Sequence, residues 1–217
     1  MAESVAVVID AGYLLKLLEP CRSATPNKRI EVGHFRAVAD KAVEAGEVLF
    51  RIYCYHCPPY DGIQQRPFYG PAVNFGASAV GKFQTALQES IRLAPRFAFR
   101  TGQLRWRGWK CEFNPSQSPT TPAKDLKWEP DFEQKQVDIK IGLDIAWLAS
   151  KKIVDIIAFA SGDTDFVPAM KFARREGVKV RLLTFTGRKP HNNLVEHSDY
   201  VTQIDPSRSR PTRIHSV

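Results

Sequence analysis

Apolar positions along this chain come in blocks. Ser4 to Ile9 (SVAVVI), Val48 to Tyr55 (VLFRIYCY), Ile153 to Ala160 and Val178 to Phe185 are short, largely β-branched runs without in-out alternation. That is the pattern of strands buried on both faces of one sheet. Helical spacing fills the stretches between them. Tyr13, Leu14, Leu15, Leu17 and Leu18 predict a helix that stops before Pro20; Phe35, Val38, Ala39, Ala42 and Val43 predict another over Val32 to Ala45, closed by Gly46. Val80, Phe83, Leu87 and Ile91 share one face of a helix over Ser78 to Leu93. After Asp165 a helix begins with Phe166, Val167, Met170 and Ala173 on one face, Pro168 in its first turn and Gly177 as its stop. A strand, a tight turn, a helix and a second strand in that order predict parallel pairing.

Phe132 to Lys151 reads as a helix with no wide polar face, expected to be largely buried. Asn192 to His197 predicts a short helix, and Tyr200 to Ile204 an edge-like strand. Cys21 to Arg29 reads as a polar loop, and residues 56–77, with Pro58, Pro59, Pro67 and Pro71, as a long one. Phe97 to Phe113 alternates, with Leu104 and Trp106 facing one way and Arg105 and Arg107 the other. It is read as a β-hairpin turning at Gly108. Residues 114–130, rich in proline, read as a surface excursion, and residues 206–217 as a basic, disordered tail. The organisation expected is one α/β domain over residues 1–205, with insertions at about 56–77 and 114–130.

Composition narrows the classes. The chain has 217 residues, enough for a full core, and its 43% hydrophobic content with 13 Phe and 4 Trp is that of a globular protein. No apolar run approaches the ~20 residues of a membrane span, and the first residues lack a signal-peptide pattern. A soluble, cytoplasmic protein is expected, with Cys21, Cys54, Cys57 and Cys111 reduced. The net charge of +8 points to a polyanion such as nucleic acid, or to no more than a solvated basic face. Arg100, Arg105, Arg107 and Lys110 are the candidate phosphate-contacting strip, against the reading of an edge strand guarded by charge. Arg66 lies among Tyr60, Phe68, Tyr69 and Phe75, rings that stack bases or pin the loop to the core.

The acids carry the chemistry. The first strand ends at Asp10, and Ile153 to Ala160 runs into Ser161-Gly162-Asp163-Thr164-Asp165. Ligands of open parallel sheets bind beyond the carboxyl ends of the strands, where these residues fall. Asp138 and Asp144 lie in the apolar helix, about 120° apart at ~100° per residue. Asp138 is expected to reach the site directly, and Asp144 through water or to hold a basic neighbour. Each aspartate alone is explained as a cap or turn residue. Together they form a hard, all-oxygen set suited to magnesium or manganese, which position water for attack on a phosphodiester.

These residues carry a resemblance. VVIDAGYL at Val7 to Leu14, QKQVDIKIGLDIAWLA at Gln134 to Ala149 and SGDTDFVPAMKFARREGVKV at Ser161 to Val180, with RTGQLRWRG at Arg100 to Gly108 as a weaker match, resemble NYN-domain proteins of the PIN-like superfamily, in the LabA-like branch. The resemblance implies a three-layer α/β/α sandwich around a mainly parallel central sheet and metal-dependent cleavage of RNA. It implies that Asp10, Asp138, Asp163 and Asp165 are catalytic and that these four with Asp144 hold a Mg or Mn ion. Many relatives have Asn where this chain has Tyr13, a departure that bears on substrate preference. The partner implied is single-stranded or structured RNA, with a homodimer compatible with the chain and no membrane.

Other readings differ at identifiable residues. An aspartyl phosphotransferase needs a second acid two residues after the first, where this chain has Gly12, and no Gly-x-Gly-x-x-Gly follows the first strand for a dinucleotide. Cys54, His56, Cys57 and Cys111 offer a zinc alternative through C-x-x-C spacing, against small buried core residues. The rival of a different class is a PIN-like domain that binds RNA or a protein without cutting.

Overall fold

The computed structural model describes residues 2–23, 29–111, 122 and 126–205. The four apolar runs form strands β1 (Glu3–Asp10), β2 (Glu47–His56), β8 (Ile156–Ala160) and β9 (Lys179–Phe185). With β5 (Phe97–Thr101) and β10 (Tyr200–Ile204) they make a six-stranded sheet in the order β10-β9-β8-β1-β2-β5. Every pairing in it is parallel. Alternate residues of β1 enter different cores. Val5, Val7 and Ile9 pack with α1 (Ala11–Ser23), α2 (Val32–Lys41) and α3 (Ala79–Leu93); Ala6 and Val8 pack with α4 (Val137–Ser150), α5 (Val167–Arg175) and α6 (Asn192–Glu196). The result is the expected α/β/α sandwich. Each fully buried Ile, Leu or Phe contributes about 1.5–3 kcal/mol, which is why both faces of the central strands are apolar.

Among the described residues, one lysine or arginine side chain is buried. Arg181 on β9 is 2% exposed, and its guanidinium makes two 2.7 Å bonds to Glu47 and one to the carbonyl of Ala42. It ties β9 to the start of β2 beneath α2.

Several expectations are corrected. α1 continues through Pro20 to Ser23; a proline removes one backbone bond, and this helix extends past it. Residues 56–77 contain a small antiparallel pair, β3 (Ile63–Gln65) and β4 (Ala72–Asn74). The alternating segment does not turn at Gly108. Its first part is β5 of the central sheet; the rest is β6 (Gln103–Cys111), continuous through a bulge at Gly108, whose φ of +120° suits a glycine. The partner of β6 is β7 (Trp128–Lys135), made of residues assigned from sequence to the loop at 114–130 and to the helix over Phe132 to Lys151. α4 therefore starts at Val137 and is buried on one face only. Ile139 and Leu143 are 63% exposed and Trp147 50%, an apolar stripe open to solvent. Much of the 114–130 insertion and the whole 206–217 tail lie outside the described residues.

Of the loop aromatics, Tyr60, Phe68 and Phe75 pack on the β6–β7 ribbon rather than on the main core, while Tyr69 is exposed. Tyr60, Phe75, Trp106 and Phe132 meet with ring centroids 5.3–5.8 Å apart, each pair worth about 0.5–1.5 kcal/mol beyond its buried area. No helix among the described residues is long and apolar enough to cross a membrane.

Candidate active site

From β1 the chain proceeds outward through β2 and β5, and later through β8, β9 and β10 on the other side. The reversal between β1 and β8 opens a crevice at their carboxyl ends. Register places Ile9 beside Ala160, so Asp10 and Ser161 are the next residues on neighbouring strands. Asp10 Oδ1 accepts the Tyr13 N–H at 3.1 Å, and the Ser161 hydroxyl lies 3.5 Å from Oδ2. The Ser161 oxygen accepts the Asp163 N–H at 3.3 Å, and Asp163 Oδ1 accepts the Asp165 N–H at 2.9 Å. A short chain of polar contacts thus links the end of β1 to the turn after β8.

Asp138, in the first turn of α4, is carried to the same mouth by a crowded corner. A Cβ on Gly102 would stand 2.6 Å from the Lys135 carbonyl and from Val137 Cγ2, so the β5–β6 corner presses directly on the β7–α4 joint. Lys140 Nζ also donates to the Thr101 carbonyl at 2.7 Å. Gln134, just before the joint, brings its amide within 3.9 Å of a Cβ built on Gly12.

Electrostatics record the convergence. Burial raises the Asp10 carboxyl above its ordinary range and Asp138 adds to the rise, opposed by the Tyr13 N–H, His56 and the Gly12 N–H. The Asp138 carboxyl is raised by desolvation and then by the charges of Asp163 and Asp165. Among the described residues no lysine or arginine forms an ion pair with Asp10, Asp138, Asp163 or Asp165. Asp144 stands apart. It accepts the Tyr55 hydroxyl at 2.7 Å and pairs with Arg100 Nε at 3.1 Å, a structural anchorage of α4 to the sheet.

Donor chemistry fits a divalent cation in one respect and constrains it in another. Four carboxylates without basic partners are a set that a hard cation relieves. Yet among the described residues no three His, Cys, Asp or Glu side chains stand together closely enough to close on one ion. A magnesium-type ion that keeps several waters and takes one or two protein carboxylates meets both conditions.

The cations named from sequence are mostly engaged. The ribbon's register sets Arg105 opposite Glu133 and Lys110 opposite Glu129, and Arg107 pairs with Asp131 at 3.5 Å. Arg66 lies over the Trp109 ring, 5.8 Å from its centroid. β7 thus lays a row of acids beside the arginine face, with Glu129 and Glu133 themselves paired to Lys127 and Lys135. Cys54 and Cys57 enter opposite cores, so the C-x-x-C pair does not converge.

Three participants were not singled out for this site from sequence. Ser161 was visible as the start of the Ser-Gly-Asp turn. His56, buried at the end of β2 with its Nδ1 2.6 Å from the Cys57 carbonyl, was signalled only by its place at a strand's carboxyl end. Gln134 opens the motif at Gln134 to Ala149, but its strand read as helix, which hid its place beside Gly12.

Comparison with known proteins agrees with the fold. The sequence model of the NYN domain family matches residues 4–205. A solved structure of a protein of unknown function from Vibrio parahaemolyticus is similar over 95% of each chain, with a TM-score of 0.50 and 18% identity, a likeness of fold alone. No curated protein matches the chain.

Proposed function

The chain belongs to the NYN domain family, a group with a PIN-like, nuclease-type fold, and from that membership and its unpaired carboxylates we propose that it is a divalent-metal-dependent endoribonuclease. The observation that carries this reading is the placement of Asp10, Asp138 and the Asp163–Asp165 turn at the switch point with no lysine or arginine paired to them among the described residues. One or two of Asp10, Asp138 and Asp163 would hold Mg or Mn directly and the others through its waters, with Asp165 beside them and Asp144 orienting α4. Such an ion, when bound, activates water and neutralises charge developing on a phosphate. The remaining work falls to the chain. Ser161 keeps the β1 and β8 ends in register through its contacts to Asp10 and Asp163.

One observation favours a second reading, a non-catalytic RNA-binding or protein-interaction module: no three acidic side chains close on a point among the described residues. The same assay decides. Single-stranded and structured RNA are incubated with manganese and wild-type or Asp163→Asn protein. The nuclease reading expects cleavage that stops with chelator and slows by at least about 100-fold in the variant. Wild type that cuts no faster than Asp163→Asn leaves the binding module.

A further inference from the structure

Beside the acids lies a cavity of opposite character. It measures about 210 Å³ and opens at the carboxyl ends of β8 and β9. Tyr13, Ser161 and Gly162 form one wall, shared with the acidic cluster, and Arg188, Lys189 and His191 form the other. No aspartate or glutamate lines it. Arg188 and Lys189 are exposed, and among the described residues neither forms an ion pair, in contrast to Arg107 of the ribbon, which pairs with Asp131. The turn that carries them is fixed: the Arg188 N–H donates to the Phe185 carbonyl at 3.0 Å. His191 Nδ1 accepts the Asn193 N–H at 3.2 Å, which leaves Nε2 as the donor of a neutral ring. Tyr13 is held edge-on to Phe185 at 5.9 Å, and its ring approaches Gly162 so closely that a Cβ there would lie 2.8 Å from Cε2. Arg188 sits near enough to Tyr13 to act on its phenol electrostatically.

Two uncompensated cations, a ring nitrogen donor and an aromatic wall next to a cation-seeking cluster are the chemistry of a phosphate with its sugar. The volume is smaller than the ~300 Å³ at which small-molecule pockets begin, which excludes a dinucleotide and suits one nucleotide phosphate. We propose that this cavity is the phosphate subsite of the proposed nuclease centre, holding the phosphate of the nucleotide adjacent to the bond cleaved. Arg188 and Lys189 neutralise its charge, while the acids and their cation engage the neighbouring phosphodiester. The inference rests on the nuclease reading for its substrate class, RNA. Two sources supply the same group, an internal phosphodiester or the 5′-phosphate at a chain end.

The test is equilibrium binding of a short oligouridylate, with and without a 5′-phosphate, measured with chelator present over a range of salt. The proteins are wild type, Arg188→Ala with Lys189→Ala, and a charge-matched control, Lys151→Ala with Arg175→Ala, at the far ends of α4 and α5. Loss of two phosphate contacts flattens the slope of log affinity against log salt by about 1.4 and weakens binding at least about tenfold at low salt. The control keeps the wild-type slope. If removing the 5′-phosphate weakens wild type as much as the double substitution does, the cavity takes a chain end; if it changes nothing, it takes an internal phosphate. An Arg188→Ala, Lys189→Ala protein that binds like wild type at every salt overturns the subsite. Cleavage by the same proteins beside Asp163→Asn separates the two ideas. Acid-dependent cleavage with unchanged binding in the double variant rejects the subsite alone. Cation-dependent binding without acid-dependent cleavage rejects hydrolysis alone.

Discussion

Replacing Asp10 by Asn removes one charge from the cluster and keeps its shape, so the sign of the stability change reports whether the acids oppose folding. The amide oxygen can still accept the Tyr13 N–H that Asp10 Oδ1 accepts at 3.1 Å. Burial is the largest influence on the Asp10 carboxyl and outweighs the two backbone donations and the charge of His56. A carboxyl raised in the folded state contributes most below its unfolded value of about 3.8, and that contribution is lost as pH rises through the folded value. At neutral pH the metal-free wild type therefore carries a penalty that Asp10→Asn lacks. Relieving such functional strain commonly gains ~0.5–2 kcal/mol, and a gain of about 1 kcal/mol raises Tm by about 2–4 °C in a chain of this size. Thermal unfolding in chelator should show Asp10→Asn melting about 2–4 °C above wild type at neutral pH, with the gap closing as pH falls. Adding manganese should reverse the order, since an ion at ~100 times its Kd stabilises wild type by about 2.7 kcal/mol. A variant that melts below wild type in chelator, or a wild type indifferent to manganese, refutes the reasoning.

Tyr55→Phe removes the hydroxyl that Asp144 accepts at 2.7 Å and should cost about 1.5–3 kcal/mol in denaturant unfolding. Cleavage should survive at temperatures where the variant remains folded, because this contact anchors α4 without touching the candidate ion. Glu47→Gln breaks the buried pair with Arg181 and should cost about 3 kcal/mol or more at neutral pH, read as a lower urea midpoint. The Arg181 hydrogen bonds hold the Glu47 carboxyl below its ordinary 4.5, so this stability is present above that pH and lost as pH falls through the lowered value. The variant should therefore show a flatter acid limb than wild type.

The sheet and its switch point were legible because strands buried on both faces leave unbroken apolar runs, and two of those runs end in Asp10 and in Ser161-Gly162-Asp163. β7 was not legible. Trp128 to Lys135 is polar and contains Pro130, and what makes it a strand is a partner more than a dozen residues earlier, β6. Helical spacing in its last residues then joined it to α4. Exposure of Ile139, Leu143 and Trp147 was equally hidden, since an all-round apolar helix reads as buried whatever packs against it. The acids beside the arginine strip were hidden for the same reason: Glu129, Asp131 and Glu133 are neighbours of β6 only through pairing. Arg188 and Lys189 were passed over because a basic turn has no sequence mark until the sheet sets it beside Tyr13.

The proposed divalent cation is shared by acids from β1, α4 and the turn after β8, held directly by one or two of them and through its waters by the rest. Calorimetric titration of manganese into metal-free protein at neutral pH tests this sharing most directly, comparing wild type with Asp138→Asn. Wild type should show a saturable site, weakened at least about tenfold in the variant. Equal affinity in the two proteins, or no saturable binding by wild type, would contradict it.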